Sequence, residues 1–155
     1  MEESLDKIDK AILNLIQNDS TISVKDIGDK VGLSTTPTYE RIKRLEKDGV
    51  IAKYVALVDR TKVGLKLMVY CNIVLKDRSR KALADFEKSV SKIPEITEVL
   101  SMSGSYDYLI KVVVPDVAAY NDFVANVMAD VPNVVQYHSN IVLNEVKKVT
   151  ALKIR

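Results

Sequence analysis

Basic side chains are concentrated between residues 40 and 53, in a segment that also carries acidic residues. The cations there are Arg41, Lys43, Arg44, Lys47 and Lys53, and the anions are Glu40, Glu46 and Asp48. A guanidinium group donates two hydrogen bonds to a guanine edge, and an ammonium group neutralises a phosphate. These residue types suit a nucleic acid, but they also suit an ordinary solvated helix. The elements that position them must decide between the two.

Other kinds of site chemistry are poorly represented. The 155 residues contain one cysteine, Cys71, and one histidine, His138, so one chain forms neither a disulfide framework nor a Cys/His zinc site. No nucleophile–base pair and no Gly-rich phosphate loop is found. The sequence therefore predicts no catalytic residues, no metal ligands and no required cofactor.

Composition and termini predict a cytoplasmic protein. Hydrophobic residues make up 47% of the chain, charged residues 28%, and the net charge is +2. No apolar run approaches the roughly 18–20 residues that a membrane helix needs. The N-terminal residues are acidic and mixed in charge, unlike a signal peptide. We expect no membrane partner.

The first third of the chain has helical periodicity. A first helix carries an apolar stripe beginning at Leu5 and Ile8, with Ser4 as the predicted N-cap. Residues 23–31 predict a short second helix, with Ser23 and Asp26 in capping-box spacing. Gly32 stands where a left-handed C-cap residue is expected. A third helix is predicted over residues 36–48. Two short helices joined by a Gly-containing turn are typical of a helix-turn-helix domain.

The predicted third helix has an apolar and a basic side. Ile42 and Leu45 centre the inner face, with Thr38 and Tyr39 beside them. An exposed basic helix of this kind fits the DNA major groove, which favours double-stranded DNA as partner. Thr36, Arg41 and Arg44 are predicted near bases, and Ser34, Lys43 and Lys47 near the phosphate backbone. The full predicted DNA-binding set is Ser34, Thr35, Thr36, Pro37, Arg41, Lys43, Arg44 and Lys47.

After Gly49 the periodicity changes to two. Residues 50–58 predict a strand or small hairpin, and residues 59–66 are polar and aperiodic. The remainder has the order β-α-β-β-α-β, which favours a ferredoxin-like domain with two helices on one face of an antiparallel sheet. The sequence therefore predicts an α+β fold with a helix-turn-helix domain over 1–50, a hinge strand and linker over 51–66, and a ferredoxin-like domain over 67–155.

The first strand of the second domain predicts a homodimer. Met68, Val69, Ile73, Val74 and Leu75 place apolar side chains on both faces of the sheet. Since helices cover only one face, a second copy of the chain is the simplest cover for the other.

Four segments resemble the Lrp/AsnC, or feast/famine, family of transcriptional regulators. The longest is GLSTTPTYERIKRLEKDGVI at residues 32–51, and the next is SGSYDYL at residues 103–109. The opening LDKID at residues 5–9 and VLNE at residues 142–145 also fit the family pattern. The resemblance covers essentially the whole chain, with order and spacing preserved.

The resemblance implies a winged-helix-like DNA-binding domain, a hinge strand and a regulatory domain related to ACT domains. It implies dimers that assemble further into tetramers or octamers, promoter DNA as target, nucleoid association, and an amino-acid effector held between dimers. The effector-binding residues implied are Ser103, Gly104, Ser105, Tyr106, Asp107, Tyr108, Tyr137 and Ser139. Ser105 replaces a common carboxylate, and Tyr137 stands where a small hydroxyl residue is usual.

Three alternatives remain open from the residues alone. Ferredoxin-like dimers include small enzymes, although no catalytic constellation is visible here. Residues 103–108 weakly resemble an RNA-binding strand with alternating aromatics, but the accompanying basic residues are missing. A DNA architectural protein that needs no effector is the third alternative. DNA binding with an effector response is the interpretation that accounts for most of the pattern.

Overall fold

The computed structural model describes residues 5–154 and consists of two compact units. One unit is Val58–Val146; the other extends to Leu57 and also includes the chain from Lys147 onward. The predicted division, with residues 67–155 in one domain, differs at the C-terminal end. The backbone of Leu152 exchanges hydrogen bonds with the Gln17 side chain at 2.7 and 2.8 Å, and Ile154 packs against the apolar core of the first unit. The tail therefore belongs to the N-terminal unit.

The first unit contains three helices: α1 (Lys7–Ile16), α2 (Val24–Val31) and α3 (Thr35–Lys47). Its buried core comprises Ile12, Leu13, Ile16, Ile27, Ile42 and Leu45. The predicted N-cap Ser4 lies outside the described residues; the side chain that caps α1 is Asp6, which accepts a hydrogen bond from the Asp9 amide.

Both ends of α2 have the predicted chemistry. The Ser23 hydroxyl accepts a hydrogen bond from the Asp26 amide and donates one to the Asp26 carboxylate. Gly32 ends α2 in the left-handed conformation, with φ of 75°. Gly28 allows a close approach, because a Cβ placed on it would lie 2.6 Å from the carbonyl oxygen of Leu33.

No strand forms at residues 50–58 among the described residues, so the predicted strand or hairpin is wrong for this chain. A strand needs a hydrogen-bonding partner, and none of the described segments pairs with this one. Several of its apolar side chains stay exposed, including Tyr54, Val55 and Leu57.

The second unit has the predicted ferredoxin-like topology. Its strands lie in the order β2-β3-β1-β4 with antiparallel pairing throughout, which makes the whole chain α+β. The elements are β1 (Leu67–Leu75), α4 (Arg80–Val90), β2 (Ile96–Ser101), β3 (Tyr108–Val114), α5 (Val117–Asn126), a 3-10 turn (Met128–Asp130) and β4 (Val134–Ile141).

Register places the core of this unit on one face of the sheet. Cys71 is opposite Ile110, and Ile73 is opposite Tyr108; all four are buried under the helices with Phe86 of α4. Cys71 is buried and packs as a small apolar side chain. The other face has no helix among the described elements, and its side chains include Tyr70, Leu100, Met102, Leu109 and Val113. No described helix is long and apolar enough to cross a membrane.

Candidate functional site

The N-terminal turn of α3 presents small polar side chains to solvent. Thr35 and Thr36 are exposed, Pro37 is half-buried, and Ser34 occupies the N-cap position without making a side-chain capping bond. The first amides of a helix lack intrahelical acceptors and attract anions. These four predicted residues therefore lie together at a helix end that suits a phosphate or a base edge.

The same helix continues this polar face with Lys43 and Lys47, both exposed. Lys43 forms an ion pair with Glu46 at 2.7 Å, which raises the pKa of Lys43. Its ammonium group lies 5.6 Å from the centre of the Tyr39 ring. Tyr39, which was predicted to lie beside the inner face, is 50% exposed and stays outside the buried core. The inner position is taken by Thr38, whose hydroxyl donates to the Ser34 carbonyl at 2.8 Å.

The two arginines of α3 contact the protein itself. Arg41 Nη1 donates to Asp6 Oδ2 at 2.6 Å and to Asp9 Oδ1 at 2.7 Å. Arg44 Nη2 donates to Asp9 Oδ2 at 2.6 Å. The Asp9 amide and then Arg41 lower the pKa of Asp6, and hydrogen bonds to Asp6 and Asp9 raise the pKa of Arg41. Base contacts by Arg41 and Arg44 stay a prediction, and both guanidinium groups have carboxylate partners.

Sequence analysis missed Asp9. Its side chain is 3% exposed, and it lies one turn before Ile12 and Leu13 on the buried side of α1. An acidic residue within an apolar helical stripe is itself a signal, because a buried carboxylate needs a cationic or hydrogen-bonding partner.

The loop of the second predicted site is open. Ser103, Gly104 and Ser105 are exposed, and Gly104 has φ of 135° with no described atom within 4 Å of an added Cβ. Backbone groups at Gly104 are therefore accessible to a ligand, as the resemblance implies.

Asp107 is already engaged. Its Oδ2 accepts from the Leu75 amide at 2.8 Å and its Oδ1 from Arg78 Nε at 2.6 Å, and its own amide donates to the Ile73 carbonyl. The Leu75 amide is the largest influence and lowers the pKa of Asp107; burial opposes it, and Arg78 lowers the pKa further. In this structure Asp107 ties the end of β1 to the start of β3.

Tyr108 belongs to the core. It is 3% exposed, its ring lies 4.7 Å from that of Phe86, and its hydroxyl donates to Glu87 at 2.6 Å. Burial and then Glu87 raise the pKa of Tyr108 to about 12. Strand alternation directs it under the helices, so the structure contradicts its assignment to an effector site.

Two predicted residues lie on β4. Tyr137 pairs with Ile73 and Ser139 with Cys71, so both face the helix side at the sheet edge. The Ser139 hydroxyl is 2.6 Å from that of Tyr120, which in turn is 3.1 Å from Cys71 Sγ. Burial raises the pKa of both Tyr120 and Cys71. Sequence analysis missed Tyr120, which lies on α5.

Tyr106 contacts a different surface. Its ring makes an edge contact with His138 at 5.5 Å, and His138 pairs with Asn72 on the face away from the helices. The predicted effector residues are therefore dispersed. The loop is open, Asp107 is hydrogen-bonded to β1, and Tyr108 is buried, while Tyr106 lies on one face of the sheet and Tyr137 and Ser139 lie on the other.

Comparisons with known proteins match both units. A family model described as winged helix-turn-helix DNA-binding matches residues 5–52, and one described as the Lrp/AsnC ligand binding domain matches residues 68–152. The DNA-binding transcriptional activator DecR of Escherichia coli K12 is 37% identical over 150 residues, covering 97% of this chain and 99% of that protein. The leucine-responsive regulatory protein of Klebsiella pneumoniae is 37% identical over 153 residues, covering 99% of this chain and 93% of the relative.

Solved structures agree along nearly the whole length. An AsnC family transcriptional regulator from Agrobacterium tumefaciens has a TM-score of 0.91 at 42% identity, with 96% of each chain covered. A transcriptional regulator from Neisseria meningitidis, solved as an L-Met complex, has a TM-score of 0.91 at 31% identity, also with 96% of each chain covered. A winged helix-turn-helix unit joined to a ligand-binding unit defines a DNA-binding transcriptional regulator. The chain belongs to the Lrp/AsnC family, whose members are regulators and not enzymes.

Proposed function

We propose that the chain binds double-stranded DNA sequence-specifically through the exposed face of α3, and that a small amino acid modulates this binding or the assembly. The main observation in support is one continuous polar face on α3. This face contains Ser34, which makes no side-chain capping bond, and the exposed residues Thr35, Thr36, Lys43 and Lys47. Pro37 borders it, and Arg41 and Arg44 flank it with guanidinium groups that already have protein partners. Because its proposed target is promoter DNA, we place the protein in the cytoplasm, associated with the nucleoid.

Salt dependence tests this surface. The native protein first enriches a duplex from a random pool, and its affinity for that duplex is measured over a salt series. Lys47→Ala is expected to reduce the slope of log affinity against log salt by about 0.9 for each phosphate that the lysine neutralises. Lys81→Ala, at an exposed position of α4, is the matched control, and its salt slope should equal that of the native protein. A native slope in Lys47→Ala would contradict the assignment of this face.

A homodimer is the proposed functional unit. The sheet face opposite the helices carries exposed Leu100 and Met102 and the half-buried Tyr70, Leu109 and Val113. A second copy would cover this apolar face, as monomeric proteins rarely leave such patches open. Family membership supports the further proposal that these dimers assemble into tetramers or octamers. A symmetric dimer would bind two half-sites about one or more helical turns apart.

The effector is proposed to bind at the open Ser103–Ser105 loop with Asp107, Tyr137 and Ser139, whereas Tyr106 contacts His138 on the opposite face of the sheet and is left out of this site. The regulator from Neisseria meningitidis was solved with L-Met, which supports an amino acid as the ligand class. Tyr137 is 39% exposed at the sheet edge, which leaves it free to contact a ligand.

A thermal-shift screen against the twenty amino acids tests the effector. A ligand at hundredfold excess over its dissociation constant adds about 2.7 kcal/mol of stability, which raises the melting temperature. Tyr137→Ala should remove a selective shift, and Tyr39→Ala, which removes an exposed ring from the other unit, should keep it. The absence of any shift would favour the effector-independent architectural protein.

A further inference from the structure

The first unit contains a buried carboxylate that sequence analysis did not account for. Asp9 and Thr38 are the buried polar residues among those described, and the Asp9 side chain lies within the apolar side of α1. Thr38 has a local backbone acceptor, whereas Asp9 is satisfied from a different helix. A buried charge is tolerated only when it is paired and hydrogen-bonded, so its partners are part of the structure that the fold must preserve.

Both oxygens of Asp9 are occupied by the guanidinium groups of α3. Oδ1 accepts from Arg41 Nη1 at 2.7 Å and Oδ2 from Arg44 Nη2 at 2.6 Å. The same Arg41 nitrogen lies 2.6 Å from Asp6 Oδ2. Asp6 and Asp9 also bond each other's backbone amides, which fixes the two carboxylates at the start of α1. Two carboxylates and two guanidinium groups thus form a paired group, the Asp6–Asp9–Arg41–Arg44 cluster.

The spacing of these two arginine contacts along α3 orients that helix. Arg41 and Arg44 are three residues apart, so they project from adjacent turns of α3 onto one anchor on α1. The apolar contacts of Ile42 and Leu45 hold α3 against the core of the unit, but the hydrophobic driving force behind them has no preferred direction. Hydrogen bonds to a fixed carboxylate have direction, and they therefore set the rotation and axial position of α3.

Charge balance argues against release of these arginines to DNA. The Asp9 side chain is 3% exposed, whereas Arg41 and Arg44 are 26% and 44% exposed, so the cost of separating them falls on the buried carboxylate, which would lose a cationic partner. A guanidinium that moved from Asp9 to a phosphate or a guanine would incur that cost at each binding event. We infer that Asp9 is a positioning residue for DNA recognition, which holds α3 through Arg41 and Arg44, and that neither arginine contacts DNA. This inference rests on the proposed DNA-binding face of α3.

The experiment is a double-substitution cycle on the full chain. Asp9→Asn, Arg44→Gln and the double variant are titrated with the duplex enriched by the native protein and with a scrambled duplex of equal length and composition. Asp9→Asn is expected to lower the ratio of specific to nonspecific affinity at least about tenfold, similar to one mismatched base pair. Arg44→Gln is expected to lower specific affinity without reducing the salt slope, because Arg44 neutralises no phosphate.

The double variant supplies the decisive comparison. A neutral amide pair replaces the ion pair and retains a donor and an acceptor, so specific affinity should be partly restored relative to Arg44→Gln. Two outcomes would overturn the inference. One is a slope reduced by about 0.9 in Arg44→Gln, which marks an arginine bound to a phosphate. The other is tighter specific binding by Asp9→Asn, which marks arginines released to DNA.

Controls separate positioning from folding and from the proposed function. Asp122→Asn, at an exposed position of α5, makes the same charge change in the other unit and should preserve the ratio of specific to nonspecific affinity. If circular dichroism shows that Asp9→Asn is unfolded, Arg44→Lys decides: it keeps a cationic donor for Asp9 and should reduce specific affinity less than Arg44→Gln does. Equal reductions would indicate bidentate base recognition, which lysine does not reproduce. A native protein that fails to prefer the enriched duplex would refute the proposed function itself, before any variant is compared.

Discussion

The two candidate regions of this regulator are built differently. The proposed DNA-binding face comes from a single helix, α3, whose N-cap, first turn and exposed lysines follow one another along the chain. The proposed effector residues come from the loop before β3 and from β4. In the first region, one helix fixes all side-chain directions together. In the second, each direction depends on strand register, turn geometry and the packing of neighbouring elements.

Both regions nevertheless contain a carboxylate that joins separate elements. Asp9 accepts from two arginines of α3 and is 3% exposed, whereas Asp107 accepts from the Leu75 amide and Arg78 and is 13% exposed. Arg78 is itself 64% exposed, so solvent screens its ion pair. Asp107 is therefore held mainly by its hydrogen bond from the Leu75 amide, whereas Asp9 is held by its ion pairs with two arginines. This difference predicts where substitution acts on recognition and where it acts on stability.

The largest expected effect is in the helical region, at Gly28. Glycine normally weakens a helix relative to other residues, so a substitution there would ordinarily be favourable. Here a Cβ would lie 2.6 Å from the Leu33 carbonyl oxygen and 3.1 Å from the Thr38 hydroxyl. Gly28→Val is expected to lower the free energy of unfolding by about 3 kcal/mol, as overpacking does. Urea denaturation measures it.

Asp29→Val is the matched control, because it places the same β-branched residue at an exposed position of α2. Its effect should be small. If Gly28→Val were as stable as this control, the turn between α2 and α3 would be able to shift. The position of α3 would then be less firmly fixed than the comparison with the effector region assumes.

Much of the fold was predictable because its determinants are local. The Ser23–Asp26 cap, the Gly32 helix end and the β-α-β-β-α-β order all follow from short spacings. The exposed first turn of α3 followed from helical periodicity as well. Tyr39 did not: its position on the boundary of the apolar face left its exposure to be decided by tertiary packing.

Long-range partners account for what the sequence did not show. The hydrogen bonds of Arg41 with Asp9, and of Gln17 with Leu152, join residues far apart in the chain. Tyr106 and Tyr108 are of the same type and both occur in the family motif, yet only Tyr108 is buried in the helix-facing core. Its role depends on pairing with Ile73, which no local pattern encodes.

A smaller effect is expected at Asp107, and its pH dependence shows which role dominates. Asp107→Ala removes the acceptor of the Leu75 amide, so a decrease of about 2 kcal/mol in the free energy of unfolding is expected at neutral pH. The folded-state pKa of Asp107 lies below its ordinary value of 3.8, so the carboxylate's contribution is complete above that pH and is lost as pH falls through the folded-state pKa. Urea denaturation at neutral pH and well below pH 3.8 should therefore show that the difference in free energy of unfolding between the native protein and Asp107→Ala becomes smaller in acid.

Asp122→Ala, at an exposed carboxylate of α5, is the control and should show little difference from the native protein at either pH. Native stability in Asp107→Ala, combined with the disappearance of an amino-acid response, would show that Asp107 acts through the ligand alone and does not stabilise the junction of β1 and β3, which would remove the contrast between the two regions.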